Sequence, residues 1–519
     1  MTPSLRRKSV SMQVTPDGFV ARFAQLAVAE PDRPFARWGG STIRFGTLDG
    51  QSAAVAAHLH DLGISAGSRV VVMLRNGPAA LAVIWALARA GAVWVPVNVQ
   101  QRGEGLGYIL DHAEPALIIT EADLLPVIRA SGAAPRPTVV HGGDGTEREL
   151  EAMLAGRRHQ FPRPPSAEDV CGIMYTSGTT GPPKGVVVTH RMMRLAGEAV
   201  ALVSDVRDGD VMLLWEPLYH IGGAQVILVP LLSHVTLAMV PRFSASRFWT
   251  AAAESGATHM HHLGGILQML LKQPAAPHDR GHRVRITWGG GCTSETWREF
   301  ERRFGVQIRE CYGMTEAASI TTINDRGVVG AVGQPVPWFD VSVQRVDGAA
   351  AGPGERGEIV VRSRTQGALF PGYFCNPAAT ARALRGNALH TGDLGSWDND
   401  GNLLFHGRLT DSVRCRGENV SAWEVERVAA THPAVEECAM IGVPSELGEQ
   451  DIKLFIRPRA EATIAEQALA DWLAARLAPY QCPRYIALVA AFERTASERI
   501  MKHRLSTRRD DCWDRQAAR

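Results

Sequence analysis

A chain of 519 residues, 45% hydrophobic and 21% charged, is too long for one core and should divide into two or more domains. Its formal net charge of +2 is balanced, so no nucleic acid or other polyanionic partner is implied. The basic opening Arg6-Arg7-Lys8 has no apolar run behind it and is not a signal peptide, and the eight cysteines contain no C-x-x-C pair, which argues against a zinc site and a disulfide framework and fits a reducing cytoplasm.

Short apolar runs alternate with helical patterns from the start. Residues 70–74 read as a buried strand, 78–90 as a helix and 92–97 as the next strand. The most apolar stretch, 79–99, contains Arg89, Gly91 and Pro96, so it is a helix followed by a strand and not a membrane span. Residues 116–120 give another strand, and 134–165, rich in Pro, Gly and charge, read as a surface excursion. An apolar run at 170–174 leads into a Gly- and hydroxyl-rich loop. Strands at 211–214, 258–262 and 285–288 continue the pattern, which implies an α/β class with parallel-rich sheets covered by helices. From 327 to 372 short strands and turns suggest a small β-rich subdomain. After Arg408 come a helix at 420–431, strands at 438–443 and 453–457, and a helix at 464–477, a compact α+β unit of about a hundred residues. Residues 506–519 form a polar tail expected to be mobile.

The loop Tyr175-Thr-Ser-Gly-Thr-Thr-Gly-Pro-Pro-Lys-Gly185 carries the clearest chemistry. Glycines let the backbone turn and approach a ligand closely, while hydroxyls, free N–H groups and Lys184 can donate to phosphate oxygens. The spacing is not that of a Walker loop. A Gly/Ser/Thr linker is the plainer alternative, but linkers rarely end in a fixed Pro-Pro-Lys-Gly after a strand.

This loop resembles the signature loop of the adenylate-forming superfamily, which embraces acyl-CoA synthetases, peptide-synthetase adenylation domains and luciferases. Ordered motifs extend the resemblance from about residue 19 to 505, and among subfamilies it is nearest to bacterial acyl-CoA ligases of the crotonobetaine/carnitine-CoA ligase type. It implies a large N-terminal domain, residues 1–408, a small swivelling C-terminal domain, 409–505, and the tail, 506–519. It implies ATP and Mg²⁺, a carboxylic acid activated as its adenylate, and transfer to a thiol, CoA above all. Thr176, Ser177, Gly178, Thr179, Thr180 and Lys184 match the loop holding the β- and γ-phosphates. Tyr312-Gly313-Met-Thr315-Glu316 matches the motif whose Thr and Glu sit by the α-phosphate, with Glu316 the metal carboxylate. Gly289, Gly290 and Gly291 match the backbone shelf for adenine; alone the triplet would be weak. Asp393 and Arg408 match the two ribose contacts, although in isolation each would be a turn or solvated residue. His220 matches a histidine that lines and gates the acid pocket, where a lone His is more often structural. His259, His261 and His262 fall on a strand used as a pocket wall, with alternation placing His259 and His261 on one face. No carboxylate or Cys nearby completes a metal site there, so lining or packing is favoured. Gly417 matches the glycine beside the pantetheine channel, with a plain turn glycine as the alternative.

Two departures stand out. The family ends in Ser-Gly-Lys-Ile, whose lysine bridges acid and α-phosphate, whereas this chain reads Ser497-Glu498-Arg499-Ile500, putting Arg499 at the lysine and Glu498 at the glycine. Thr410 stands where the hinge residue is usually Asp or Lys. The leading expectation is an AMP-forming acid–thiol ligase acting in the cytoplasm. Two others stay open: a ligase that activates an acid, nitrite included, for transfer to an amine, and an adenylate-binding protein with little turnover. The acid and the oligomeric state are not readable from the sequence.

Overall fold

The computed structural model describes residues 18–156, 164–176, 182–292, 294–345, 347–408, 412–446, 448–460, 462–493, 500 and 502–517; of residues 264, 265, 407, 408, 412, 419, 421, 423, 424, 427 and 503 only the backbone is described. Ser177, Gly178, Thr179, Thr180, Thr410, Glu498 and Arg499 therefore lie outside the described residues.

Two parallel-rich sheets make up the N-terminal part. The first runs Arg148–Glu149, Thr138–His141, Leu117–Glu121, Arg69–Met73, Val93–Pro96, Val170–Thr176, Lys184–Thr189, and only its last pair is antiparallel. Its central strands are short, apolar and buried on both faces, as strands covered by helices must be. The helix Pro78–Ala90 has Pro78 in its first turn and ends at Gly91, whose φ of 64° caps it. Trp85 on this helix stacks on Phe23 at 4.1 Å and meets Phe19 and Phe35 edge-on. Within 134–165, expected as a surface excursion, the described residues are exposed along much of 142–148 but also add strand Thr138–His141 to the sheet and set Leu150 and Met153 into the core. The run Thr-Val-Val is too short to stand out among prolines and glycines, and its burial comes from pairing with Leu117–Glu121.

The second sheet has nine strands, with Gln307–Tyr312, Ile286–Gly290, His259–Leu263, Val211–Leu214, Thr236–Met239 and Pro34–Trp38 parallel and antiparallel strands at its edges. A five-stranded antiparallel sheet follows, built from Phe339–Gln344, Gly357–Ser363, Leu384–Arg385, Ala388–Trp397 and Leu403–Arg408. The β-rich subdomain thus runs well beyond residue 372, where its expected span ended.

From Ser412 the chain has its own core, around Val425, Met440, Leu454 and Leu473. A hairpin, Ser412–Cys415 with Glu418–Ser421, precedes helix Ala422–Ala430 and a four-stranded sheet of Val435–Pro444, Gln450–Pro458, Tyr485–Leu488 and Trp513–Asp514. The last strand corrects one expectation: the tail, anticipated as mobile, is the edge of this sheet. Lys453 draws it in. Its side chain is 0% exposed, and its ammonium donates to the Arg508 carbonyl at 2.7 Å and to Asp511 at 2.6 Å.

Candidate active site

Parallel strands leave their carboxyl ends on one edge, and ligand crevices form there. Here Glu216 follows Val211–Leu214, Leu263 ends His259–Leu263, Gly290 ends Ile286–Gly290 and Gly313 follows Gln307–Tyr312. All four line one cavity of about 1660 Å³. Its far wall comes from the C-terminal unit, including Arg414, Gly417, Glu418 and Tyr480.

The hairpin Val170–Thr176/Lys184–Thr189 sets Thr176 directly across from Lys184 at the cavity's edge. Lys184 Nζ lies 4.8 Å over the Tyr373 ring. The Tyr373 hydroxyl donates to Glu316 Oε1 at 2.8 Å, and Glu316 is 6% exposed. One tyrosine therefore joins the cation of the phosphate loop to the buried carboxylate. Glu316 sits on the turn Thr315–Ala317, after which Ala318 and Ser319 both adopt left-handed backbone, φ 48° and 71°. Such strain in non-glycine residues persists where surrounding structure holds it, and it concentrates at functional sites. Gly313 permits this turn, since a Cβ there would collide with the Ser319 carbonyl.

Behind the cavity the glycine run is held by Glu310, which is buried and accepts from Gly291 N at 3.2 Å and Cys292 N at 2.9 Å. His262 Nε2 lies 3.1 Å from the same carboxylate and its Nδ1 3.0 Å from Thr287. Burial holds the pKa of His262 below its ordinary value despite Glu310. His259 is turned to the Ser204 carbonyl, and burial takes its pKa down to about 4. Of the three strand histidines, His261 alone lines the large cavity. Cys311 also lines it, but burial raises its thiol pKa, so it is no thiolate nucleophile at neutral pH.

On the acid side, His220 precedes helix Ile221–Val226, and its Nε2 is 2.7 Å from Glu418 Oε1 across the cavity. Burial disfavours the imidazolium, but the charge and hydrogen bond of Glu418, helped by Glu216, outweigh it and raise the pKa. Gly417 has φ 81° beside Arg416 at 52°, the paired left-handed residues of a two-residue hairpin turn. It faces Leu263, 3.3 Å from where its Cβ would sit, so this glycine both makes the turn and lines the cavity.

Residues 23–374 match the AMP-binding enzyme family, and residues 424–499 match the AMP-binding enzyme C-terminal domain. The chain belongs to the AMP-binding enzyme family. A crotonobetaine/carnitine–CoA ligase of Salmonella paratyphi A (strain ATCC 9150 / SARB42) is 30% identical over 481 residues, covering 89% of this chain and 92% of that protein. Among solved structures, a double mutant of o-succinylbenzoate CoA synthetase from Bacillus subtilis, bound to a product analogue, superposes with a TM-score of 0.84 at 23% identity over 95% of this chain and 99% of that one. The amide bond synthetase of Marinactinospora thermotolerans gives 0.83 at 23% identity, over 94% and 98%. At these identities the two structures establish the shared fold.

In this AMP-binding enzyme, Thr176, Lys184, His220, Gly290, Gly313, Thr315, Glu316 and Gly417 are brought together around the cavity. Gly289, Gly291, Tyr312 and Asp393 stand behind its lining, with the Tyr312 hydroxyl donating to Asp393 at 2.8 Å. Asp393 lies opposite Arg408 in the strand register, while the Arg408 side chain is outside the described residues. Sequence reasoning missed Tyr373, Glu310 and Glu418. Each acts through a partner far along the chain, and only Glu418 had a local cue, its place beside Gly417.

Proposed function

We infer that the protein is an AMP-forming acid–thiol ligase of the acyl-CoA ligase type, which joins a small or medium carboxylic acid to a thiol, CoA, at the expense of ATP. The observation that carries this reading is the one cavity bearing Lys184, Tyr373 and Glu316 on one side and His220 and Gly417 on the other. In the first half-reaction a carboxylate oxygen attacks the α-phosphorus and pyrophosphate leaves; in the second a thiol sulfur attacks the acyl carbon and AMP leaves. Positioning and charge neutralisation dominate such chemistry. Lys184 and the hydroxyls of residues 176–180 would hold the outer phosphates. Thr315 would orient the α-phosphate, and Asp393 and Arg408 the ribose. Glu316, a single buried carboxylate, would hold Mg²⁺ with phosphate oxygens and water completing the shell, the usual arrangement for this ion, which neutralises phosphate charge. Tyr373 keeps that carboxylate in place.

Arg499 would bridge the acid and the α-phosphate in a second arrangement of the C-terminal domain, which turns about a junction near residues 408–411. Arg499→Ala should then depress acid-dependent pyrophosphate release far more than the use of a supplied acyl-adenylate. The replacement of the usual lysine favours one other acceptor chemistry, transfer to an amine, with nitrite among the acids. Measuring pyrophosphate and AMP with a panel of acids, with CoA, and with nitrite plus an arylamine decides between them. CoA-dependent AMP release supports the thiol reading, amine-dependent release replaces it, and no release with any acid leaves an adenylate binder. Eight free cysteines support a reducing, cytoplasmic location, and among the described residues no helix is long and apolar enough to cross a membrane.

A further inference from the structure

Glu216 is 6% exposed, lines the cavity, and has no part in the chemistry above. Its placement is built rather than incidental. Asn76 brackets it, donating to the Glu216 carbonyl at 2.8 Å and accepting from Leu218 N at 3.0 Å. Pro217 follows it and disfavours the helical region for Glu216, which sits at a bend. Gly222 leaves space for the carboxylate, whose oxygens lie 2.6 and 2.8 Å from where a Cβ would stand. Glu216 Oε2 approaches His261 Nδ1 at 2.8 Å, yet among the described residues neither atom makes an aligned hydrogen bond. No arginine or lysine among the described residues lies within ion-pair distance of it. A buried carboxylate oxygen with only a poorly aligned imidazole beside it is under-satisfied, so the site calls for a ligand that brings a donor.

The surroundings narrow that ligand. His261 packs against Trp288 at 4.2 Å and Trp215 at 6.1 Å, and Trp215 meets Phe243 at 5.5 Å. All four rings line the cavity beside Glu216 and give it flat, apolar walls. Like charges repel strongly where water is scarce, so a substrate carboxylate cannot settle against Glu216. The acid must lie with its carboxylate toward Thr315 and its other end at Glu216.

We propose that this enzyme selects a flat carboxylic acid whose far end carries an amino group, and that an N–H of that amine donates to Glu216. The identity of the carboxylate end rests on the ligase reading above; the amine subsite rests on Glu216 and His261 alone. A quaternary ammonium satisfies the charge but has no N–H, so it separates this proposal from simple cation attraction over aromatic rings.

The test uses the full-length enzyme with 4-aminobenzoate and 4-(aminomethyl)benzoate, each beside its trimethylammonio analogue and its methyl-for-amine analogue. Pyrophosphate release should give the amine a kcat/KM at least about tenfold above both analogues at one of the two lengths, because a site with an unpaired buried group rejects ligands lacking its partner. Glu216→Met, which removes charge and acceptor at similar length, should bring that ratio to within about twofold of one. Glu216→Gln, with a milder change in packing, should give a ratio between the two and covers the case in which the methionine variant does not fold. A wild-type preference for the quaternary acid, no preference at either length, or a ratio unchanged in both variants overturns the proposal and leaves the ligase reading standing. Calorimetry separates the converse. If the amine acid binds wild type, loses affinity in Glu216→Gln and is never adenylated, the subsite holds and the ligase reading falls; if it does not bind wild type at all, the subsite is overturned.

Discussion

Tyr373 donates to Glu316 and lies under Lys184, so its hydroxyl fixes where the carboxylate points, and with it, on the proposed reading, where a divalent cation would be met. Hydrogen bonds to charged groups contribute about 1.5–3 kcal/mol. Tyr373→Phe keeps the ring beneath Lys184 and removes only the donor. It should lower the rate of pyrophosphate release roughly 10- to 100-fold and raise the Mg²⁺ concentration needed for half-maximal rate, with the melting temperature nearly unchanged. An unaltered Mg²⁺ dependence would show that Glu316 does not meet the metal. Gly313→Ala acts differently. Its new Cβ meets the Ser319 carbonyl, a backbone atom that cannot step aside without unwinding the strained pair Ala318–Ser319. The variant should lose about 1–3 kcal/mol of stability as well as activity, measurable as a shifted denaturant midpoint. The contrast marks what was legible at this scale. Gly313, Thr315 and Glu316 are contiguous, so the motif announces them. Tyr373 and Glu310 join the site through contacts 57 and 19 residues distant, and nothing in their local sequence distinguishes them from ordinary packing residues.

Elements were legible where burial is decided locally. The strand Val211–Leu214 and the helix Pro78–Ala90 fall where their apolar runs place them, because each is buried on every side and its punctuation is Pro or Gly. The tail was not legible, because polar residues become ordered there through a buried charge elsewhere. Lys453 lies in the middle of strand Gln450–Pro458 with no exposed surface, and its partners, Asp511 and the Arg508 carbonyl, are both in the tail. Arg484 adds a second tie, bridging Asp451 and Asp514 at 2.9 and 3.3 Å. Removing one partner of a buried pair costs more than the pair contributes, about 3–5 kcal/mol, because a charge is left uncompensated. Truncation after residue 505 should therefore destabilise the C-terminal unit by several kcal/mol, about that range, read as an earlier unfolding transition. Lys453→Met in the truncated chain should recover a good part of the loss. If the methionine gives no recovery, the tail stabilises by covering surface and not by neutralising the lysine.

The whole molecule is held in one arrangement by contacts across the cavity, and the His220–Glu418 pair is the titratable one among those described above. A turn of the C-terminal domain, as proposed above, would separate these residues, so the His220 pKa is raised in the arrangement described here and would fall back toward its ordinary value when the two sides part. A group whose pKa is raised by its partner contributes its full stabilisation below the ordinary value and loses it as pH rises through the raised one. Other charges bear on the same imidazole: Glu216, on the His220 side, favours its proton in both arrangements, and Arg414, which parts together with Glu418, opposes it only in the closed one. The closed arrangement should therefore be most populated at mildly acidic pH and should give way to open ones as pH climbs past neutrality. Spin labels on unnatural residues replacing Val28 and Leu488, which are 82% and 41% exposed and belong to the two sides of the cavity, report the distance between them. Its distribution should broaden or lengthen from pH 6 to pH 9 in the wild type. Glu418→Gln leaves His220 with a neutral partner and should flatten that response while keeping the fold. A distance that ignores pH in both proteins would mean that Gly417 and its hairpin are seated by packing alone, with the histidine left to its place in the acid pocket.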